Sequence, residues 1–262
     1  QVWTPAWVAS VGWSRKNSSK NASRRSLKAD TVTPGWVAGG TGAVYRRAPS
    51  RRFGDHRVVT DAPERLEPVT LDGRLVRLEP LSLDHLDGLA AVAFDEELWR
   101  WTTGRPLDRD ALRDWVQRAL DNRTAGTELP FATVDRATGQ PIGSSRYLNI
   151  VAEHRRLEIG WTWVARARQR SGVNREAKLL MLEHAFERLG CQRVEFKTDS
   201  NNAPSRAALA GIGATFEGIF RKHMVMPTGR VRHSAYFSIV DDDWPEVKAA
   251  LAASVDRAIA RR

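Results

Sequence analysis

Only one cysteine, Cys191, stands in the chain, so no intrachain disulfide can form. A cytosolic setting is the expectation that follows. No apolar run is long enough to span a membrane. The first residues, QVWTPAWVASVGW, are moderately apolar, but they contain Pro5 and their charges follow rather than precede them. That is the wrong order for a secretory signal. No metal-ligand spacing of His, Cys, Asp and Glu occurs, and no Ser-His-Asp arrangement is suggested. Acids are nearly missing from residues 1–60, where Asp30 and Asp55 stand against eleven Lys and Arg. Of the formal net charge of +10, that segment carries 11 − 2 = +9 and the remainder +1. The basic balance therefore describes a leader and not the body.

What the leader does contain is Ser, Arg, Gly, Pro and isolated tryptophans, without lasting periodicity. Nothing in it buries enough apolar surface to offset chain entropy. Residues 1–65 are expected to be a disordered basic leader or the product of a mis-annotated start. Trp3, Trp7, Trp13 and Trp36, interleaved with arginines, are able to stack on bases and meet phosphates. Nucleic acid enters the reading only there, through residues 1–60.

Residues 66–262 are patterned and read as one α/β (α+β) domain. Val69 to Leu81 reads as a strand pair or bent strand around Asp72-Gly73. Ser82 can cap a helix carrying Leu86, Leu89, Ala90 and Val92, and Asp108 starts a second with Leu112, Trp115 and Val116 on one face. Glu97 to Thr102 is ambiguous. Two strands, Phe131–Val134 and Pro141–Leu148, flank the turn Asp135–Gly139. Later come a strand at Arg193–Thr198 and a short helix from Pro204 to Leu209. A hairpin across Pro227-Thr228-Gly229 and a helix after Asp243 complete the chain.

The centre is Leu157 to Gly190. Leu157, Ile159, Trp161 and Trp163 alternate with Glu158, Gly160, Thr162 and Val164, the pattern of a strand. A basic turn, Gln169-Arg170-Ser171-Gly172-Val173-Asn174, then opens a helix that Gly190 ends. A strand feeding a turn that opens a helix presents free N–H groups and a positive dipole end to a phosphate.

That turn, Gln169-x-x-Gly172-x-Asn174, resembles the cofactor loop of the GNAT N-acetyltransferases. The Gly-Val-Asn ending and the helix behind it are similar to the branch of ribosomal-protein N-terminal alanine/serine acetyltransferases. So are Glu158-Ile159-Gly160-Trp161, Lys197-Thr198-Asp199, Asn202-x-x-Ser205-Arg206 and Arg221-Lys222-His223-Met224. The resemblance covers about residues 66–246 in unbroken element order. It implies one mixed, mostly antiparallel sheet, splayed at a central strand pair and flanked by helices.

It also implies a chemistry: acetyl transfer from acetyl-CoA to a primary amine, by direct attack and without a metal. The N–H groups of Arg170, Ser171, Gly172, Val173 and Asn174 would bind the pyrophosphate, with Gln169 counted among the cofactor-binding residues and Arg168 and Arg170 adding charge. Thr162, Trp163 and Val164 would pair with the pantetheine arm as a neighbouring strand does, with Gly160 as a bulge or close-approach residue. Asn202 would hold the same arm. Glu158, placed on the strand face of Gly160 and Thr162, is the candidate base that takes the proton of the amine. His154 and His184 rival it by residue type alone, and His184 reads as a polar-face residue. Where many family members carry a tyrosine acid, this chain has Ala214-Thr215-Phe216. Ser205 is the nearest substitute, or no acid is needed, because a thiolate is a tolerable leaving group. Trp99, Trp101, Tyr147, Trp161 and His223 line the acceptor side or belong to the core. Cys191 reads as a packing residue. The acceptor is a protein N-terminus or a small amine, no membrane partner is expected, and the protein would be a monomer or homodimer. Two readings of other classes remain: a nucleic-acid-associated protein acting through its leader, and an acyl-CoA-binding domain without catalysis.

Overall fold

The computed structural model describes residues 66–261, so the expectations for residues 1–65 lie outside the described residues. Its elements are β1 (Leu71–Asp72), β2 (Val76–Pro80), α1 (Leu86–Ala93), α2 (Arg109–Thr124), β3 (Glu128–Asp135), β4 (Pro141–Val151) and β5 (Arg156–Val164). They continue as α3 (Val173–Glu183), β6 (Arg193–Asp199), α4 (Ala203–Gly211), β7 (Thr215–Val225), β8 (Val231–Val240) and α5 (Trp244–Ile259). The turn around Asp72-Gly73 makes a strand pair, with Leu71 opposite Leu78. The ambiguous Glu97–Thr102 stretch becomes a 3-10 turn at Glu96–Leu98 and a further turn.

All strands join one sheet in the order β1-β2-β3-β4-β5-β6-β8-β7. Every neighbouring pair is antiparallel except β5 and β6. That exception follows from connectivity, because a helix lies between them and returns the chain to the starting edge. The sheet separates two apolar layers. On one face α3 and α5 contribute Ala177, Met181, Leu182 and Leu251, packed with Phe131, Tyr147, Leu157, Phe196 and Phe237 from the strands. On the other face α1 and α2 bring Leu89, Leu112, Trp115 and Val116 onto Ala132, Val134 and Trp163.

Trp99 sits at the centre of the second layer, 3% exposed, with its ring 5.8 Å from Trp115 and 5.3 Å from Trp163. Its Nε1–H donates to the Ala93 carbonyl at 2.5 Å. Trp99 is therefore core and does not line the acceptor side. Trp99→Ala is expected to destabilise the domain by about 3–5 kcal/mol, read from the urea midpoint.

The β1–β2 hairpin is tied to α3 by one carboxylate. Glu176, buried, accepts from the backbone N–H groups of Arg74 at 2.9 Å, Leu75 at 2.5 Å and Val76 at 2.8 Å. Hydrogen bonds to a buried charge are the strong kind, and their loss leaves three donors unpaired. No helix of the described residues is long and apolar enough to cross a membrane.

Candidate active site

Strands β5 and β6 pair at Arg156 with Arg193, Leu157 with Val194 and Glu158 with Glu195, and pair no further. Yet β5 runs on to Val164 and β6 to Asp199. The two strands separate past Glu158 and leave an opening in the middle of the sheet. The cause lies on the other side of β5. There Ser144 pairs with Trp163 and Arg146 with Gly160, so β5 carries one residue too many. Trp161 absorbs it in the left-handed region, at φ 50°. Such a bulge bends the strand that carries it, here away from β6. Thr162, although central in an eight-stranded sheet, is exposed as a result.

Gly160 borders the bulge as a close-approach residue, where a Cβ would meet Leu148 Cδ2 at 3.0 Å. The bulge corrects one expectation. It reverses the alternation: Leu157, Ile159 and Val164 face the α3 layer, while Trp161 and Trp163 join the tryptophans over α1 and α2. Glu158 and Thr162 therefore do not share a face. Lys178 of α3 donates to Thr162 Oγ1 at 2.6 Å and to Ser145 Oγ at 3.2 Å, bracing the bulge from the α3 side.

Lys178 is buried, and no carboxylate pairs with it among the described residues. Burial pulls its ammonium down to about 7. In the unfolded chain the same amine titrates near 10.5. Between those values the unfolded state binds the extra proton, so stability rises with pH across that window. The slope reaches at most about 1.4 kcal/mol per pH unit. Lys178→Met is expected to remove this rise, measured as the difference between wild-type and variant unfolding curves from pH 7 to 10.

Glu158 stands where the pairing ends. Its carboxylate is buried, accepts from Asn149 Nδ2 at 2.7 Å and ion-pairs with Lys197 Nζ at 3.3 Å. With Asn149, Glu195, Arg156, Thr127 and Tyr236 it lines a cavity of about 520 Å³. Tyr236 reaches this cavity from β8, opposite Lys197 of β6. Burial, and the negative charge of Glu158 and Glu195, push its phenol above the ordinary value and keep it protonated. The Tyr236 ring stacks on Phe220 at 4.1 Å and meets His223 at 5.7 Å. His223 shares a hydrogen bond of 2.9 Å with Ser234 Oγ. Burial, then Lys197 and Arg232, hold its imidazole below the usual value, against the opposing pull of Glu158.

Sequence reasoning missed Tyr236, although a signal was available. Ala235, Phe237 and Ile239 mark the core face of β8, which leaves Ser234, Tyr236 and Ser238 on the other. His154 is exposed beside Glu153 and does not line the cavity. His184 is no polar-face residue; its ring stacks on Tyr147 at 6.2 Å, and burial lowers its pKa. Tyr147 itself is fully buried and donates to the Met181 carbonyl.

Beyond Val164 the basic turn wraps onto the start of α3. Arg170 at φ 60° and Gly172 at φ 93° both adopt the left-handed region. Gln169 Nε2 donates to the Val164 carbonyl at 3.2 Å, and Ser171 Oγ to the Arg168 carbonyl at 2.6 Å. Gly172 occupies the N-cap position of α3 and offers no side-chain cap. The backbone N–H groups of residues 170 to 175 meet no acceptor among the described residues. Arg168 is not free to add charge there, because its guanidinium pairs at 2.6 Å with the buried carboxylate of Asp135. Asn202 caps α4, its Oδ1 accepting from the Ser205 N–H at 3.1 Å. Ser205 lies in that first helical turn and does not line the Glu158 cavity.

A sequence profile described as an acetyltransferase (GNAT) domain matches residues 75–215. The chain belongs to the GNAT acetyltransferase family. A GCN5-related N-acetyltransferase from Brucella melitensis is similar in structure, with a TM-score of 0.69 and 34% identity over 74% of this chain and 87% of that one. Mycobacterium smegmatis RimJ, solved in complex with CoA-disulfide, shares the fold, with a TM-score of 0.62 and 23% identity over 71% of this chain and 95% of that one. Among curated sequences, the uncharacterized N-acetyltransferase p20 of Bacillus licheniformis is 26% identical over 155 residues, 59% of this chain and 86% of p20.

For a GNAT acetyltransferase the donor set fits acetyl-CoA. Unpaired N–H groups at a helix start suit a pyrophosphate, and the unpaired edge of β5 suits an amide-bearing arm. Cys191 offers no rival nucleophile. Burial pushes its thiol to about 11, which leaves it protonated and inert.

Proposed function

We propose that this chain transfers the acetyl group of acetyl-CoA to a primary amine by direct attack, with Glu158 as the base. The observation that carries the reading is the end of β5–β6 pairing at Glu158 and Glu195. It puts a carboxylate at the apex of the opening whose β5 edge would hold the cofactor arm. Acetyl-CoA, when bound, supplies an activated thioester. The residues do the rest. The free N–H groups of Arg170 to Asn174 hold the pyrophosphate, while the Gln169 N–H stays with the Arg166 carbonyl. The backbone of Thr162, Trp163 and Val164 pairs with the pantetheine, and Asn202 flanks the arm.

An amine enters the cavity beside Glu158 as an ammonium. Glu158 takes its proton, directly or through a water. The amine nitrogen then bonds to the carbonyl carbon as the carbon–sulfur bond breaks. A backbone N–H of β5 supports the charge that develops on the carbonyl oxygen. The nitrogen gives up its second proton to solvent or to the departing sulfur, which otherwise leaves as the thiolate. Tyr236, which lines the cavity with Glu158 and is held protonated, supports a donor role beside the Ser205 candidate. The acceptor is a protein N-terminus or a small amine.

The test incubates the full chain with acetyl-CoA and a panel of primary amines and N-terminal peptides, following free thiol. Amine-dependent thiol release is the expected result. Thermal stabilisation by acetyl-CoA with no turnover on any amine would favour a binding domain without catalysis. Tyr236→Phe is expected to lower kcat by about a hundredfold, the lower end of the usual span for proton donors, at nearly unchanged acetyl-CoA KM. An unchanged kcat would leave the sulfur to depart unassisted.

A further inference from the structure

A second cavity, lined by arginines, lies beside the basic turn and is built in part by α5. Arg170 and Arg175 approach it from the turn and the first turn of α3, and Arg257 and Arg261 from the end of α5. Together they line one cavity of about 240 Å³. None of the four side chains has an ion pair or a hydrogen bond to another described residue. Their neighbours behave differently. Arg168 finds Asp135, and Arg74 finds Asp256 at 2.6 Å on the same helix α5. Acids were within reach of this region, and the four cavity arginines were left without them.

The convergence is fixed by packing and not by chance of rotamer. A Cβ placed on Gly172 would lie 2.5 Å from Ala258 Cβ, so the last turn of α5 rests directly on the loop. Arg257 and Arg261 flank Ala258 one residue before and three after, on adjacent turns. Complementing the helix dipole would account for two cations at the end of α5. It does not account for Arg170 and Arg175 meeting them, since like charges at this spacing repel unless an anion lies between.

The charge needed also exceeds one pyrophosphate. A pyrophosphate diester carries about two negative charges, and a phosphomonoester about two more near neutral pH. The loop N–H groups serve the first. We propose that Arg257 and Arg261, with Arg170 and Arg175, seat a phosphomonoester, namely the 3′-phosphate on the ribose of CoA. The chain would then select acetyl-CoA over its 3′-dephospho analogue. This rests on the acetyl-CoA reading above, and its test separates the two.

Binding of CoA, dephospho-CoA, adenosine 3′,5′-bisphosphate and inorganic phosphate is measured on the full chain by calorimetry, and KM for the two acetyl thioesters by thiol release. The wild type is expected to bind CoA at least tenfold more tightly than dephospho-CoA, with the KM values in the same ratio. Arg257→Ala/Arg261→Ala is expected to bring both ratios close to one. Arg74→Ala, which removes a guanidinium outside the cavity, should leave both ratios as they are. Equal affinity of the wild type for CoA and dephospho-CoA overturns the proposal while the acetyltransferase reading stands. So does a double variant that weakens both ligands equally and keeps the ratio. Tight binding of inorganic phosphate alone, with no preference for the 3′-phosphorylated ligands, overturns it as well. No binding of either CoA form would sink the acetyl-CoA reading and the subsite together.

Discussion

Replacing Glu158 with Gln is expected to lower kcat by about a hundredfold, the scale of a positioned base. Glutamine keeps the length and can still accept from Asn149 Nδ2, which now lies at 2.7 Å from the carboxylate. It cannot take a proton from the acceptor. Acetyl-CoA affinity should stay near wild type, because the loop and the β5 edge are untouched. The ion pair to Lys197 at 3.3 Å is lost, which leaves a half-buried ammonium without its partner. The thermal midpoint should therefore be measured alongside. Turnover within twofold of wild type on a folded variant would remove Glu158 from the base role. His223, whose ring meets Tyr236 at 5.7 Å, would then be tested by His223→Gln. Neutral imidazole persists to lower pH at that position, because burial and Lys197 hold its pKa down.

Gly172→Val should have the second large effect, on stability and on cofactor binding together. At φ 93° an L side chain is strained whatever surrounds it, at a cost of about 1–3 kcal/mol. The space is also taken. The added Cβ would meet Ala258 Cβ at 2.5 Å and Leu75 Cδ1 at 3.1 Å. Relief requires α5 to lift from the loop or the loop to move outward, and either displaces the N–H groups of residues 170 to 175. KM for acetyl-CoA is expected to rise more than tenfold, with a lower urea midpoint. Gly190→Ala is the control. Gly190 also has positive φ, at 66°, but its Cβ would meet nothing within 4 Å. It should show the strain, about 1 kcal/mol, without the loss of binding. If Gly190→Ala raised KM as far as Gly172→Val, the contact with α5 would not be what holds the loop.

Much of the fold could be read from local signals. The Asp72-Gly73 turn, the Asp108 cap and the basic turn with its glycine depend on residues close in the chain, and all three stand where expected. Glu158 could be singled out as the carboxylate of a strand feeding that turn. Its face could not be judged against Thr162, because period-two reading assumes an unbroken pleat. One extra residue at Trp161 shifts everything after it. Alternation along β8 could set Tyr236 off the core face, but not show that it shares a cavity with Glu158, nor that Arg168 pairs with Asp135. Both depend on strands or loops brought together across long sequence separations.

The sequence by itself determined the order of elements and the presence of a glycine turn at a helix start. Those properties are local, and local chemistry fixes them through capping, turn residues and apolar periodicity. The tertiary structure alone decided where β5 leaves β6, which side chains face the resulting cavity, and which arginines remain unpaired. Those outcomes turn on one bulge and on the contact of Gly172 with Ala258. A register shift and a close packing contact are both properties of two segments at once, and no window along a single strand contains them.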